Sequence, residues 1–534
     1  MKKILFELVF LCFFTSNILA QQTAGLQIST ENGIVEGLEN SGIREFKGVP
    51  FAAPPVGELR WKEPQPVKNW SDVLETKKFA PKAMQLAAFG DMNSRSEGMS
   101  EDCLYLNIWT PAKSATEKLP VLVYYYGGGF VAGDGSEPRY DGESFARKGV
   151  IVVTVNYRLG VFGFLSHPVL TKESVHKASG NYGLLDQAAA LKWVKRNIVA
   201  FGGNPEKVTI GGESAGSISV SIQMISPLTK NLIAGAIGES GSIMRMMLSA
   251  VPLANAEKEG VKFLENTGVA SIAELRKMPA EELLKLNSSR FPIAIDGYLI
   301  PQSPEKIFTA GQQAHVPLLV GWNSQEMAPE FLMGKETMNS ENFNKKVNEL
   351  YGPDATAVLE LYKANTDAEV VQAATDLASD RFIVFSTWKW ADLQAHTGVA
   401  PVYRYYFARP RPDMRSEMGN AVAGLAGGVS KDASTPKPPK PLGAVHSAEL
   451  EYVLGNLSSN RIYDWQADDY KVSAIAQSYF VNFIKSGNPN GLGLPTWQPV
   501  KKGENASVMN IDVDTHQYKE THRDRYLLLD KMNK

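Results

Sequence analysis

Gly211-Gly212-Glu213-Ser214-Ala215-Gly216 sets one serine among glycines directly after an apolar run. Val208, Thr209 and Ile210 read as a short buried strand, and Ala215 to Val220 can open a helix, so Ser214 falls on a sharp strand-to-helix turn. A turn of this kind strains the backbone at the serine. Small residues at Gly212 and Gly216 let strand and helix come close enough to lift Oγ clear of a sheet. In isolation a structural glycine turn would look the same, so the neighbouring chain has to decide.

Upstream, Leu119 to Tyr126 reads as a strand that runs straight into Gly127-Gly128-Gly129-Phe130. Consecutive glycines after a strand let main-chain N–H groups face a ligand without side-chain obstruction. Beside a serine nucleophile such a loop supplies oxyanion donors, here Gly128 and Gly129, joined by the N–H of Ala215. Ile151 to Tyr157 is a further buried strand, and Tyr182 to Asn197 has helical spacing with Leu184, Leu185, Ala188, Leu191 and Val194 on one side. After the serine, Ala234 to Glu239 and Val316 to Val320 read as more strands. Strand, helix, strand, turn and helix in this order predict an α/β fold with a large, mostly parallel sheet covered on both faces. Gly238-Glu239-Ser240-Gly241-Ser242 nearly repeats the turn, but Ser242 takes the place of its second glycine, which makes Ser240 a neighbour of the site and the weaker nucleophile candidate.

The bulk properties fit an ordinary globular enzyme. Hydrophobic residues make up 44% of the 534 and charged residues 21%, while 55 basic against 57 acidic side chains give no electrostatic case for nucleic acid. Lys2 and Lys3 precede an apolar run from Leu8 to Phe14 and a polar step after Ala20, the pattern of a secretory signal cleaved near Ala20 and hence of a secreted or periplasmic protein. That run is shorter than the roughly 20 residues that span a bilayer, and no later segment is long and apolar enough to do so. Cleavage would remove Cys12 and leave Cys103 alone, so no intrachain disulfide could form. Residues 21–534 then read as one domain, with a helical, glycine-poor insertion around 336–395. A Gly- and Pro-rich stretch at 408–442 reads as a long mobile loop, either a rim over the pocket or a solvated insertion pointing away from it.

A serine nucleophile needs a base, and the base needs an orienting carboxylate. The seven histidines are His167, His176, His315, His396, His446, His516 and His522. The chain order serine, acid, histidine selects His446, in the loop between the mobile stretch and the apolar Tyr452-Val453-Leu454. The acid should lie between them at a strand end. Glu326 follows the strand Leu318 to Val320, with Glu330 and Asp296 as competitors, the latter in an Ile-Asp-Gly turn that looks structural.

These motifs, together with Phe46 to Trp61, Ser100 to Trp109, Asn156 to Gly160, Gly180 to Gln187, Phe201 to Pro205 and Gly443 to Gly455, make the chain resemble the type-B carboxylesterases of the α/β-hydrolase fold, the family that includes the cholinesterases. The resemblance spans about residues 30 to 500. It implies Ser214 as nucleophile, Glu326 as acid, His446 as base and Gly128, Gly129 and Ala215 as the oxyanion hole of an enzyme acting on small-molecule carboxylic esters without metal or organic cofactor. It also implies two ion pairs, Arg60 with Glu101 and Arg158 with Asp186. The chain departs from the family pattern at Tyr126, where many microbial relatives have histidine, and at Met327, which follows the acid where glycine is usual. Ala83 stands where the family has a cysteine partner for Cys103, so the loop between them is expected to be held by packing alone. The same family resembles adhesion proteins that keep the scaffold and lose the triad, and a catalytically idle binding protein is the rival reading. The intact Ser214, Glu326 and His446 oppose it.

Overall fold

The computed structural model describes residues 26–532 apart from 90, 245–248, 287–289, 431–439 and 503–505. The leader read at 1–20, with its cleavage point at Ala20, lies outside the described residues. Eleven strands form the main sheet: β1 Leu38–Asn40, β2 Ile43–Pro50, β3 Tyr105–Thr110, β4 Leu119–Tyr125, β5 Ile151–Val155, β6 Gly203–Glu213, β7 Gly235–Glu239, β8 Leu318–Asn323, β9 Val402–Phe407, β10 Ser507–Ile511 and β11 His516–Lys519. Their spatial order is β11-β10-β9-β8-β7-β6-β4-β5-β3-β2-β1. From β5 through β10 every neighbouring pair is parallel, and the edges are antiparallel.

The parallel strands read as nearly unbroken apolar runs because neither face meets water. All residues of β5, β7 and β8 are buried, as are the last five of β4. Helix Ala215–Ile225 packs on β6 and β7, Ala467–Ser486 on β4 and β6, and Phe385–Thr397 on β8 and β9. The result is an α/β-hydrolase architecture in which β6 occupies the middle of the sheet and β4, β7 and β8 end beside it.

Helices Ser340–Tyr351, Ala355–Leu361 and Asp367–Ser379 fill the segment 336–379 and share a separate apolar cluster that includes Phe343, Val347, Val358 and Leu377. Asp367–Ser379 begins with a reciprocal capping box between Thr366 and Glu369. A π-helical turn, Asp380–Val384, joins it to Phe385–Thr397.

The stretch 408–442 is tethered in its first half, since Arg409 pairs with Asp469 at 2.7 Å and buried Arg411 with Glu451 at 2.8 Å. Val422–Ala423 and Val429–Ser430 pair as a small hairpin, and the Gly428 N–H donates to Asp91. Cys103 is free and buried. The loop between Ala83 and Cys103 is held by more than packing: Gln85 exchanges two hydrogen bonds with the Gly133 backbone, and Arg95 reaches Asp141 at 2.7 Å and the Ser136 carbonyl at 2.6 Å. Polar anchoring thus holds this loop without a disulfide at Cys103. Both expected ion pairs form, Arg60 with Glu101 and Arg158 with Asp186, the second fully buried and doubly hydrogen-bonded.

The sharp turn after β6 depends on two glycines. A Cβ on Gly216 would lie 1.9 Å from the Tyr125 carbonyl oxygen of β4, and one on Gly212 would lie 2.6 Å from the same atom. Gly216→Ala should therefore force strand and helix apart and destabilise the fold by about 1–3 kcal/mol, the usual cost of overpacking. Urea unfolding followed by tryptophan fluorescence checks this; an unchanged midpoint would mean that the close approach is not required.

Candidate active site

Ser214 sits at the junction of β6 and helix Ala215–Ile225 with φ 55° and ψ −118°. Its N–H donates to the Glu239 carbonyl at 2.8 Å, and its own carbonyl accepts from Ile218, so the strained residue is held from both sides. Ser214 is half-buried, with its hydroxyl on a cavity. Phe130, Ser240 and Ser447 also have left-handed backbones, at φ 62°, 53° and 64°, which gathers strain around this point.

The His446 imidazole faces Ser214 through Nε2, 2.9 Å from Oγ, and Glu326 through Nδ1, 2.6 Å from Oε2. The two loops that carry acid and base are fastened together. The Gln325 N–H donates to the Ala444 carbonyl at 2.8 Å, the Ala444 N–H to Ser324 Oγ at 2.8 Å, and Asn323 Nδ2 to the Val445 carbonyl at 2.9 Å. The other Glu326 oxygen accepts from the Asn323 N–H at 2.6 Å and from Ser240 Oγ at 2.5 Å. Ser240 is thus bonded to the acid and fully buried, away from the cavity wall. Glu330 is exposed at the start of a short helix, and Asp296 is taken up by Asn181 and the N–H groups of Tyr298 and Ile300. Of the three candidate acids, Glu326 is the one brought to the imidazole.

Gly128 and Gly129 adopt φ 106° and 62°, conformations that a side chain would resist, and both line the cavity beside Ser214. Among the described residues none accepts from their N–H groups, and the N–H of Ala215, first in its helix, has no partner within that helix. Tyr126 fixes the approach to this loop. It stacks on Tyr157 with ring centres 4.3 Å apart, and the Tyr157 hydroxyl donates to the Tyr126 carbonyl at 2.7 Å.

The open cavity, of about 1110 Å³ out to its mouth, is walled by Phe89, Ile218, Met327, Phe331, Phe382 and Leu425. The π-helical turn contributes Phe382, whose ring meets the His446 ring edge-on at 5.0 Å. Met327 takes the place of the usual glycine without disturbing the acid: its N–H is held by Ser379 Oγ at 3.1 Å. Leu425 and Ala426 bring the stretch 408–442 to the cavity wall.

Sequence reasoning missed the carboxyls beneath the site. Glu213, Glu239 and Glu449 are buried with Glu326, and Glu213 Oε1 lies 3.2 Å from His446 Nε2. Burial pushes Glu213 up, against the opposing pull of His446 and Arg139. Burial, with the charges of Glu213 and Glu326, raises Glu449 to about 8. Burial also raises Glu239, although the Tyr124 hydroxyl donates to it at 2.9 Å. For His446 burial favours the neutral ring, but Glu213, the bond and charge of Glu326, and Glu449 outweigh it and raise the imidazole to about 9. The signal in the sequence was a carboxylate inside an apolar strand end, directly before Ser214.

A strained serine above a central parallel strand, linked through histidine to a buried carboxylate and flanked by the N–H groups of a glycine loop and a helix start, defines the serine hydrolases of the α/β-hydrolase fold. The profile of the carboxylesterase family matches residues 24–527, and the chain belongs to that family, whose members are serine hydrolases of carboxylic esters. It is 34% identical over 489 residues to the fumonisin B1 esterase of Sphingopyxis macrogoltabida, covering 86% of this chain and 82% of that protein. It is 35% identical over 483 residues to the para-nitrobenzyl esterase of Bacillus subtilis, covering 87% and 90%. The solved structure of a PNB esterase superposes with a TM-score of 0.78 at 31% identity, covering 95% of this chain and 99% of that one.

Because the imidazole must be neutral to accept a proton, activity should rise with pH through an apparent value above the ordinary histidine range, a value that belongs to the whole acid cluster. Glu213→Gln removes the anion 3.2 Å from Nε2 and so favours the neutral ring. The rising limb of kcat/KM should move towards acid by about one pH unit or more, the usual effect of a close opposite charge. A limb that stays in place or moves towards base would show that Glu213 does not act on His446.

Proposed function

We propose that the chain is a secreted carboxylesterase that cleaves its ester through an acyl-enzyme, with Ser214 as nucleophile, His446 as base and then acid, and Glu326 as the orienting carboxylate. His446 Nε2 takes the Ser214 proton as Oγ bonds to the ester carbonyl carbon. Glu326 Oε2 accepts the hydrogen bond from Nδ1–H and, with Glu213 beside Nε2, favours the new imidazolium. The oxygen that gains charge meets the N–H groups of Gly128, Gly129 and Ala215, each donor of this kind being worth about 2.7–4 kcal/mol. When the carbon–oxygen bond to the alcohol breaks, the alcohol leaves with the proton from Nε2. Water then repeats the sequence at the acyl carbon, which releases the acid and restores Ser214.

The observation that carries this reading is the unbroken chain Ser214 Oγ, His446 Nε2 and Nδ1, Glu326 Oε2, opening on a mostly apolar cavity beside the glycine loop. Relatives named for fumonisin B1, para-nitrobenzyl esters and cocaine support the reaction class across dissimilar esters. Export is supported by Lys2, Lys3, the apolar run after them and the polar step at Gln21.

Purified protein should hydrolyse a short-chain para-nitrophenyl ester, and Ser214→Ala should abolish turnover. Glu326→Gln should lower kcat by orders of magnitude, on the scale of the ~10⁴ loss that the corresponding change causes in a protease triad. Glu330→Gln should lower it less than tenfold, as expected of an exposed group outside the hydrogen-bond chain. Full activity in Ser214→Ala, or a larger loss at Glu330 than at Glu326, would reject the assignment. N-terminal sequencing of exported protein should read from Gln21; retention of Met1 would reject cleavage.

A further inference from the structure

The cavity over Ser214 is mostly apolar, and besides Ser214 and His446 its polar lining is Glu213, three serines and two arginines. Arg139 is buried and engaged by Glu137 at 3.0 Å. Arg290 is different. It is exposed and lines the cavity together with Gly129, Ser214 and His446, and among the described residues no carboxylate, carbonyl or hydroxyl engages its guanidinium. Its position is set against the oxyanion loop: a Cβ placed on Gly129 would lie 2.9 Å from Arg290 Nη2 and 3.2 Å from Cζ. The absence of a side chain at Gly129 therefore leaves room for the guanidinium as well as for the oxyanion.

From this placement we infer that Arg290 is a substrate anchor and that the preferred esters carry a free carboxylate a few bonds from the scissile carbonyl. The inference rests on the ester-hydrolase reading above. A guanidinium is planar and always charged, and it offers paired N–H donors that match the two oxygens of a carboxylate. Among the described residues the one carboxylate on the wall, Glu213, is not a competitor, because it lies beneath the glycine loop. A Cβ on Gly127 would meet its Oε2 at 2.5 Å, and its other oxygen faces His446. A neutral ester would leave Arg290 idle, whereas a half-ester of a short dicarboxylic acid, or an ester of a hydroxy acid, would place its anion on Arg290 while its carbonyl oxygen enters the hole formed by Gly128, Gly129 and Ala215.

The test compares kcat/KM for two matched pairs, monoethyl succinate with ethyl valerate for charge on the acyl side and carboxymethyl butyrate with propyl butyrate for charge on the alcohol side. Wild type, Arg290→Gln and Arg290→Lys are each measured in a pH-stat. The charged-to-neutral ratio should fall about ten- to hundredfold in Arg290→Gln on at least one side, the range expected for a hydrogen bond to a charged group. Arg290→Lys should recover part of it, and added salt should lower the wild-type ratio. The pair whose ratio falls assigns the anion to the acyl or the alcohol side. Ratios that Arg290→Gln leaves unmoved on both sides overturn the inference and make Arg290 a solvated surface residue. Wild-type protein that cleaves none of the four esters would instead refute the esterase reading beneath it.

Discussion

A serine held at φ 55° on the last step of a central strand is the constraint on which the rest of this structure depends. L-residues reach that conformation at a cost of about 1–3 kcal/mol, and it persists only where the surroundings over-determine it. Here the Glu239 carbonyl takes the Ser214 N–H, helix Ala215–Ile225 starts from the Ser214 carbonyl, and Gly216 lies so close to the Tyr125 carbonyl that no Cβ fits. These restraints come from three adjacent strand ends, β4, β6 and β7. Parallel pairing around β6 is what brings them into one place.

The same convergence explains the charge beneath the site. Parallel strands ending side by side put Glu213 and Glu239 in register, and the stapling of the Ser324–Gln325 segment to the histidine loop adds Glu326 and Glu449. Burial drives protons onto Glu213, Glu239 and Glu449, while Glu213 and Glu326, each beside one His446 nitrogen, favour the imidazolium. In this geometry Glu326 addresses Nδ1 and Glu213 addresses Nε2. Each His446 nitrogen thus faces a carboxyl group that favours the imidazolium.

Much of this was legible in the chain itself. The strand runs around Val121, Ile151 and Ile210 are unbroken because both faces are covered, and the glycine loop and the turn at Ser214 stand where two such runs end. His446 and Glu326 could be picked out by chain order and by resemblance, and their loops prove to be tied together by Ser324, Gln325 and Ala444. What escaped was whatever depends on contacts between distant segments. Nothing local marks Glu449 as facing Asn323, or Arg290 as reaching the oxyanion loop, since each is set by the docking of separate chain segments. Composition does not show the tertiary ties at the start of the Gly- and Pro-rich stretch from 408 either: Arg409 and Arg411 pair with the buried Asp469 and Glu451.

Of the two serines with left-handed backbones at adjacent strand ends, Ser214 faces His446 and the cavity, whereas Ser240 Oγ is buried and committed to Glu326, so Ser214 is the one open to chemical activation. The direct measurement is labelling with a serine-directed fluorophosphonate, followed by intact mass and peptide mapping. One adduct per chain on Ser214, formed in step with loss of esterase activity, is the predicted result. An adduct on Ser240, or inactivation without modification of Ser214, would contradict it.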